Sequence, residues 1–243
     1  MVTGASAGIG AATARALARA GYRTALGARR RDRLEEVARE ANGVALELDV
    51  TSAESIGRFT AAVEERFGLC HVLVNNAGVA LGLSPVAETP DADWIGMLDA
   101  NVLGLLRMTR AMLPLVRRAP HGHIVNLGSI AGFEVYRGGA GYTATKHAVR
   151  AVTRTLRIEL NGEPIRVTEI APGMVETEFS LVRFRGNQEA AAAVYKGVQP
   201  LTAEDVAECI LFAVTRPPHV DIDEMVIRPI AQANSFTVHR RAE

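Results

Sequence analysis

Thr3-Gly4-Ala5-Ser6-Ala7-Gly8-Ile9-Gly10 stands near the head of the chain, followed by an alanine-rich run with helical spacing. Three glycines in that rhythm fit a strand-to-helix turn. Gly4 allows the tight turn, Gly8 lets backbone approach a pyrophosphate, and Gly10 lets the helix pack close to a sheet. The helix start then offers free N–H groups and a positive dipole to phosphates. A plain glycine-rich turn is the other reading of the same residues, and the motif alone does not choose between them.

Outward from this turn, short β-rich runs alternate with longer amphipathic stretches. The pattern predicts strands at Arg23–Ala28, Val44–Leu48, His71–Asn75, His123–Leu127, Ile165–Ile170 and Glu224–Ile227. It predicts helices at Ile9–Ala20, Arg31–Ala41, Ala53–Arg66, Trp94–Val116, Tyr142–Leu160 and Ala203–Ala213. Nearly continuous apolar strands separated by helices read as a parallel sheet covered on both faces. Right-handed crossovers then give an α/β fold of the Rossmann type, a doubly wound sheet in a single domain over 1–243. Met1-Val2-Thr3 leaves little room for a first strand, so the numbered chain is expected to begin inside it. The stretch 176–200 follows a Pro-Gly and turns from polar and Arg-bearing to alanine-rich; a substrate lid is expected there.

With 48% hydrophobic and 22% charged residues, the composition is that of a globular protein with a substantial core. No apolar run reaches the roughly 18 residues of a membrane span, and no basic-then-apolar leader is seen, so a cytoplasmic location without membrane is expected. Zero formal net charge gives no reason to expect a nucleic-acid partner. Cys70 and Cys209 read as reduced core thiols, and no Cys/His group has metal-ligand spacing, so no metal is expected.

The end of the second predicted strand chooses the dinucleotide. An acidic residue there serves the ribose 2′-hydroxyl of NAD. Here Ala28 is followed by Arg29, Arg30 and Arg31. Guanidinium groups bind a 2′-phosphate as a fork, which points to NADP(H), with Arg29 and Arg30 as the expected contacts. Cations at a helix start also oppose its dipole unless an anion sits nearby. Asp49 after the third strand suits the adenine amino group or a helix N-cap, with Thr51 or Ser52 as rival caps. Asn75-Asn76-Ala77-Gly78 follows the fourth strand; its small residues allow close approach and its amides suit strand-to-strand ties.

Tyr142 and Lys146 are four residues apart, which on a helix means one face and about 5–6 Å between Cβ atoms. A phenol with a pKa of about 10 is a poor base at neutral pH, and an adjacent ammonium lowers that value. An amphipathic surface pair has the same spacing. Ser129 follows an apolar strand, where a hydroxyl serves either a ligand or a loop cap. Asn101 lies inside a predicted helix, where asparagine is a mediocre former. Pro172-Gly173 brings backbone to the end of another strand.

Together these pieces resemble the short-chain dehydrogenase/reductase family over essentially the whole chain. The match is carried by the Thr-Gly-x3-Gly-x-Gly turn, Asn75–Gly78, Asn101, Ser129, Tyr142-x3-Lys146 and Pro172-Gly173, in the family's order. The resemblance implies that Tyr142 exchanges a proton with the substrate oxygen. It implies that Lys146 holds the nicotinamide ribose and lowers the Tyr142 pKa, that Ser129 binds the carbonyl or alkoxide, and that Asn101 holds a helix kink in a proton relay. It extends the cofactor contacts to Ser6, Ile9, Val50, Val175 and Thr177.

Asn75–Leu83, His121–Val125, Thr177–Phe184 and Leu201–Val206 are similar to the NADP-dependent 3-hydroxy acid (serine/allo-threonine) dehydrogenase branch; clavaldehyde-type reductases share several of these places. In the hydroxy-acid reading Arg183 or Arg185 receives a substrate carboxylate, while Glu134 sits awkwardly beside one. A larger natural-product aldehyde or ketone is the alternative substrate, favoured by Leu81, Leu83 and Phe133. A non-catalytic NADP(H) sensor is the alternative of another class. Ala111, Met112, Ala148, Val152 and Leu156 are expected to form a shared helical face in a homo-oligomer, which the family resemblance makes a tetramer. The tail from Arg228 is expected to reach a neighbouring subunit.

Overall fold

A computed structural model describes residues 1–241. The tail beyond Arg241 lies outside the described residues. One parallel sheet of seven strands runs in the order β3-β2-β1-β4-β5-β6-β7. The strands are β1 (Val2–Thr3), β2 (Ala25–Ala28), β3 (Val44–Glu47), β4 (Val72–Asn75), β5 (Gly122–Leu127), β6 (Ile165–Pro172) and β7 (Glu224–Ile227). The doubly wound Rossmann-type fold expected from the alternation is what forms.

Both sheet faces are dry, which explains the continuous apolar strands. On one face Val2, Leu26, Val74 and Val125 pack on α1 (Gly8–Arg19), α2 (Arg31–Glu40) and, further along the chain, the helix Ala203–Val214. On the other, Leu73, Ile124 and Val167 pack on α3 (Ala53–Phe67) and on the helices Gly104–Arg117 and Ala140–Glu159. The first strand has only two residues, yet it pairs with β2 on one side and β4 on the other. The sheet reverses its winding between β1 and β4, and a crevice opens there at the carboxyl ends of the strands.

One expectation needs correction. The helix predicted over Trp94–Val116 is two helices, α4 (Asp91–Leu98) and α5 (Gly104–Arg117), joined by a π turn at Asp99–Leu103. Asn101 in that turn donates to the Val79 carbonyl and accepts from the Val79 N–H, so a fixed outside partner accompanies the irregular turn. The stretch 176–200 contains two short helices, α7 (Glu178–Arg183) and α8 (Gln188–Ala193), which its mixed composition hid. The tail after Arg228 folds back on its own chain: Arg240 donates to the Lys196 and Val194 carbonyls, and the Arg241 N–H to Gly197. The remaining helices are α6 (Ala140–Glu159) and α9 (Ala203–Val214), the latter started by a Thr202–Asp205 capping box.

Candidate active site

The crevice is a cleft of about 1040 Å³ counted to its open mouth. At one end lies the glycine turn. Gly4 has φ +65°, and a Cβ on Gly10 would stand 2.4 Å from the Gly4 carbonyl oxygen. No side chain caps α1, so its first N–H groups face the cleft without an internal partner. Gly4, Gly8 and Ile9 line this end, and Ala77 and Gly78 line the floor beside them. Asn76 donates to the Thr3 carbonyl (2.9 Å), and Asn75 donates to Asn126 Oδ1 across β4–β5 (2.9 Å). The asparagine amides therefore tie neighbouring strands, as the sequence led us to expect.

Arg30 reaches the cleft wall. It donates to Ser6 Oγ (3.3 Å) and to Glu178 Oε2 on α7 (2.6 Å), and Arg33 donates to the other Glu178 oxygen. Arg29 does not line the cleft; its charge acts on Asp49. Arg31 pairs with Glu35 one turn along α2. Asp49 is not the cap of α3. Ser52 caps it, while Asp49 accepts from the Thr51 N–H and hydroxyl. Burial opposes ionisation of Asp49, but those Thr51 donors and the Arg29 charge hold its carboxyl below the ordinary value. Val50 lies against Gly104 at the start of α5, away from the cleft lining.

Ser129, Tyr142 and Lys146 line the other end together with Pro172, Gly173, Val175 and Thr177. Tyr142 and Lys146 share one face of α6, with the ammonium 5.8 Å from the phenol ring centre. Ser129 caps a turn by accepting from the Ala131 N–H, as one of its two readings expected, and it borders the cleft. Asn101 donates to Thr145 Oγ1 (3.0 Å), fixing the π turn to α6 directly beside Lys146.

Burial drives the Tyr142 pKa above its ordinary value, Tyr136 adds to this, and Ser129 and Arg183 pull it down. Lys146, with its ammonium 5.8 Å from the ring centre, is not among the groups that produce this shift. Its ammonium donates to the Leu127 carbonyl (2.6 Å) instead, and burial lowers its own pKa to about 8.

On α7 the sequence points to Arg183 but not to Phe179. Phe179 meets Tyr142 edge to face at 5.5 Å. Arg183 stands 5.7 Å from the Tyr142 ring centre, donating to the Gly82 carbonyl and the Tyr136 hydroxyl. Arg185 is turned away and donates to both oxygens of Asp93. Glu134 accepts from Arg228 and from Ser235 of the tail, so it does not confront a ligand in the cleft. Phe133 is held between Arg150 and Arg228, and neither it nor Leu81 nor Leu83 lines the cleft. The excursion 176–200 leaves and rejoins the body at a bridge between Val175 and Leu201. Among the described residues no group of His, Cys, Asp and Glu is placed to hold a metal ion, and no helix is long and apolar enough to cross a membrane.

Comparisons with known proteins agree with this geometry. The sequence profile described as short chain dehydrogenase matches residues 1–187. An uncharacterized oxidoreductase of Mycobacterium tuberculosis is 54% identical over 97% of this chain and 92% of its own length. The NADP-dependent 3-hydroxy acid dehydrogenase of Schizosaccharomyces pombe is 43% identical over 99% of this chain and 96% of its own. A solved structure of serine dehydrogenase, in its closed form with NADP+, superposes with a TM-score of 0.93 at 40% identity, covering 99% of this chain and 98% of that one. A cleft at the switch point of the sheet, walled by a glycine turn and by Ser129, Tyr142 and Lys146, and a profile match across most of the chain, lead to one conclusion: this protein belongs to the short-chain dehydrogenase family.

Proposed function

We propose that this short-chain dehydrogenase is an NADP(H)-dependent oxidoreductase acting between the alcohol and carbonyl forms of a small 3-hydroxy acid. The observation that carries the reading is the placement of Arg183 5.7 Å from the ring centre of Tyr142, which lines the cleft with Ser129 and Lys146.

The residues present fit a phosphorylated dinucleotide. The glycine cradle is one that a Cβ at Gly10 would fill, the α1 N-terminus is uncapped, and Arg30 and Arg33 converge on one carboxylate, Glu178. Gly4, Ser6, Gly8, Ile9 and Gly10 form the pyrophosphate turn. Arg30 takes the 2′-phosphate, with Arg29 and Arg33 adding charge. Asp49 and Val50 serve the adenine, Asn76, Ala77 and Gly78 its ribose, and Pro172, Gly173, Val175 and Thr177 the nicotinamide end. When bound, NADP(H) supplies or takes the hydride.

Tyr142 gives its phenolic proton to the substrate oxygen during reduction and takes it back during oxidation. Ser129 donates a hydrogen bond to the same oxygen and stabilises the charge that develops there. Lys146 holds the nicotinamide ribose and places a positive charge beside the phenol. Asn101 fixes α6 through Thr145 and so keeps the pair in position. Arg183 receives the substrate carboxylate through donors not used by Gly82 and Tyr136. The segment 176–200 acts as the lid, carrying Phe179 and Arg183 onto the substrate. We place the enzyme in the cytoplasm, which suits its free thiols Cys70 and Cys209, and we assign it a homotetramer, which suits the apolar stripe described below.

Tyr142→Phe tests the catalytic claim. Turnover should fall at least about a hundredfold while NADPH binding, read by fluorescence, is retained. Unchanged turnover would remove Tyr142 from the chemistry and favour the sensor alternative.

A further inference from the structure

We infer that Glu169 is the counter-ion of Lys146, a buried carboxylate that keeps the ammonium charged and so sets the alkaline limit of the pH range in which Tyr142 and Lys146 work together. The inference rests on the role given to Lys146 above. It makes Glu169 a positioning residue, acting through Lys146 without touching substrate.

Lys146 is 7% exposed, and its ammonium donates to a neutral carbonyl, that of Leu127. A buried ammonium next to a neutral oxygen loses hydration without gaining an opposite charge. Glu169 supplies that charge. It lies in β6, in register with Asn126 of β5 and Glu224 of β7, and is 2% exposed. A carboxylate in the middle of a parallel sheet is costly, and its immediate neighbours along β6, Thr168 and Ile170, carry no charge. Its Oε1 has no hydrogen-bond partner among the described residues.

The position of that oxygen is informative. A Cβ on Gly128 would stand 2.1 Å from Glu169 Oε1. Gly128 directly follows Leu127, whose carbonyl accepts from Lys146. The carboxylate and the ammonium therefore meet adjacent residues at the end of β5, and the glycine is the residue that admits the carboxylate. The other charged groups facing Glu169 are Arg150 and Arg154 from α6 and Glu224 from β7; the β5 neighbour Asn126 is uncharged. Arg150 donates to Glu224 at 2.7 Å and Arg154 lies 3.6 Å from the same carboxylate. Both arginines pair with Glu224 and still act on Glu169, Arg150 more strongly than Lys146; for Lys146, Glu169 is the charge that opposes the loss of its proton.

The titration order agrees with this pairing. Burial first, and then Glu224, push the Glu169 carboxyl up to about 7, while Arg150, Lys146 and Arg154 pull it down. Burial pushes Lys146 down to about 8 and Glu169 opposes it. Above about pH 7 Glu169 is ionised, so its charge is present where Lys146 loses its proton. Removing that charge lowers the Lys146 midpoint further.

Lys146 and Lys196 are the only lysines, so protein labelled with 13C at lysine Cε gives two resonances to titrate. In Glu169→Gln the Lys146 midpoint should fall by about one pH unit, with Lys196 as internal reference. The alkaline limb of the reductive pH profile should move down by the same amount. A Lys146 midpoint that stays in place in the folded variant overturns the inference, as does a uniform loss of turnover with the limb unmoved. If the variant does not fold, the wild-type titration decides. The Lys146 resonance should respond to Glu169 ionising near pH 7 as well as to its own step near 8, and a single one-proton curve overturns the inference. The midpoint is read in the resting protein, so it stands apart from the Tyr142→Phe test of the reaction.

Discussion

Arg183 carries the substrate reading at the scale of single residues. It is held by the Gly82 carbonyl and the Tyr136 hydroxyl, which aim the guanidinium before any ligand arrives. Arg183→Leu should raise KM for 3-hydroxy acids about ten- to a hundredfold and leave a neutral alcohol substrate little changed. An equal effect on both substrates would show that Arg183 supports the fold of α7 and not the carboxylate. The Tyr142–Lys146 pair was legible in the sequence because one turn of helix brings residues four apart onto one face, with no need of the rest of the molecule. Arg33 and Glu178 were not legible. They meet from α2 and α7, 145 residues apart, and no local pattern announces such a pairing. The same holds for Glu134, whose partner Ser235 lies 101 residues away. Sequence proximity to the substrate loop suggested a clash with a carboxylate; the tail had already claimed the side chain.

Elements were legible where periodicity was long. The seven-stranded order follows from alternating strands and helices, and even the short β1 takes its central place because β2 and β4 supply partners on both sides. Short or irregular elements were lost: α7 and α8 have six residues each, too few for a face to repeat, and the π turn at Asn101 shifts the spacing by a residue in mid-helix. At this scale β5 yields a pH prediction. His123 is fully buried in β5, shares a 2.8 Å hydrogen bond with Thr168 of β6, and burial followed by the Arg166 charge pushes its pKa down to about 3. In the unfolded chain the ring titrates at about 6.5, so the unfolded state binds the extra proton first. Stability is therefore lost as pH falls from about 6.5 towards 3, at up to about 1.4 kcal/mol per pH unit from this residue. Glu169, raised, acts with the opposite sign between its unfolded value and about 7, so the comparison needs a variant that shares it. In urea unfolding, the stability gap between wild type and His123→Gln should narrow as pH falls below 6.5. A gap that does not change with pH would show that His123 is not the group responsible.

The whole molecule presents an apolar stripe along α4 and α5. Ile95, Leu98, Leu103 and Leu106 are all exposed there, with Leu103 in the π turn between the two helices. This differs from the face the sequence led us to expect, since Met112 and Leu156 are spent in the core beneath the sheet. Helical spacing cannot tell an inward face from an outward one when both are apolar. Leu103→Glu combined with Leu106→Glu should convert the proposed tetramer to smaller species by light scattering without loss of the folded circular-dichroism signal; an unchanged mass would place the interface elsewhere. We propose that the arginines after β2 select the 2′-phosphate and that Arg183, beside Tyr142, selects a carboxylate, so that cationic groups set both cofactor and substrate preference. Reduction of NADP+ by the wild-type protein, followed by nicotinamide absorbance with L-allo-threonine, serine and other 3-hydroxy acids and with NAD+ in parallel, tests both at once. Turnover of hydroxy acids that depends on NADP+ is the predicted result. Silence on every hydroxy acid, or equal turnover with NAD+, would contradict it.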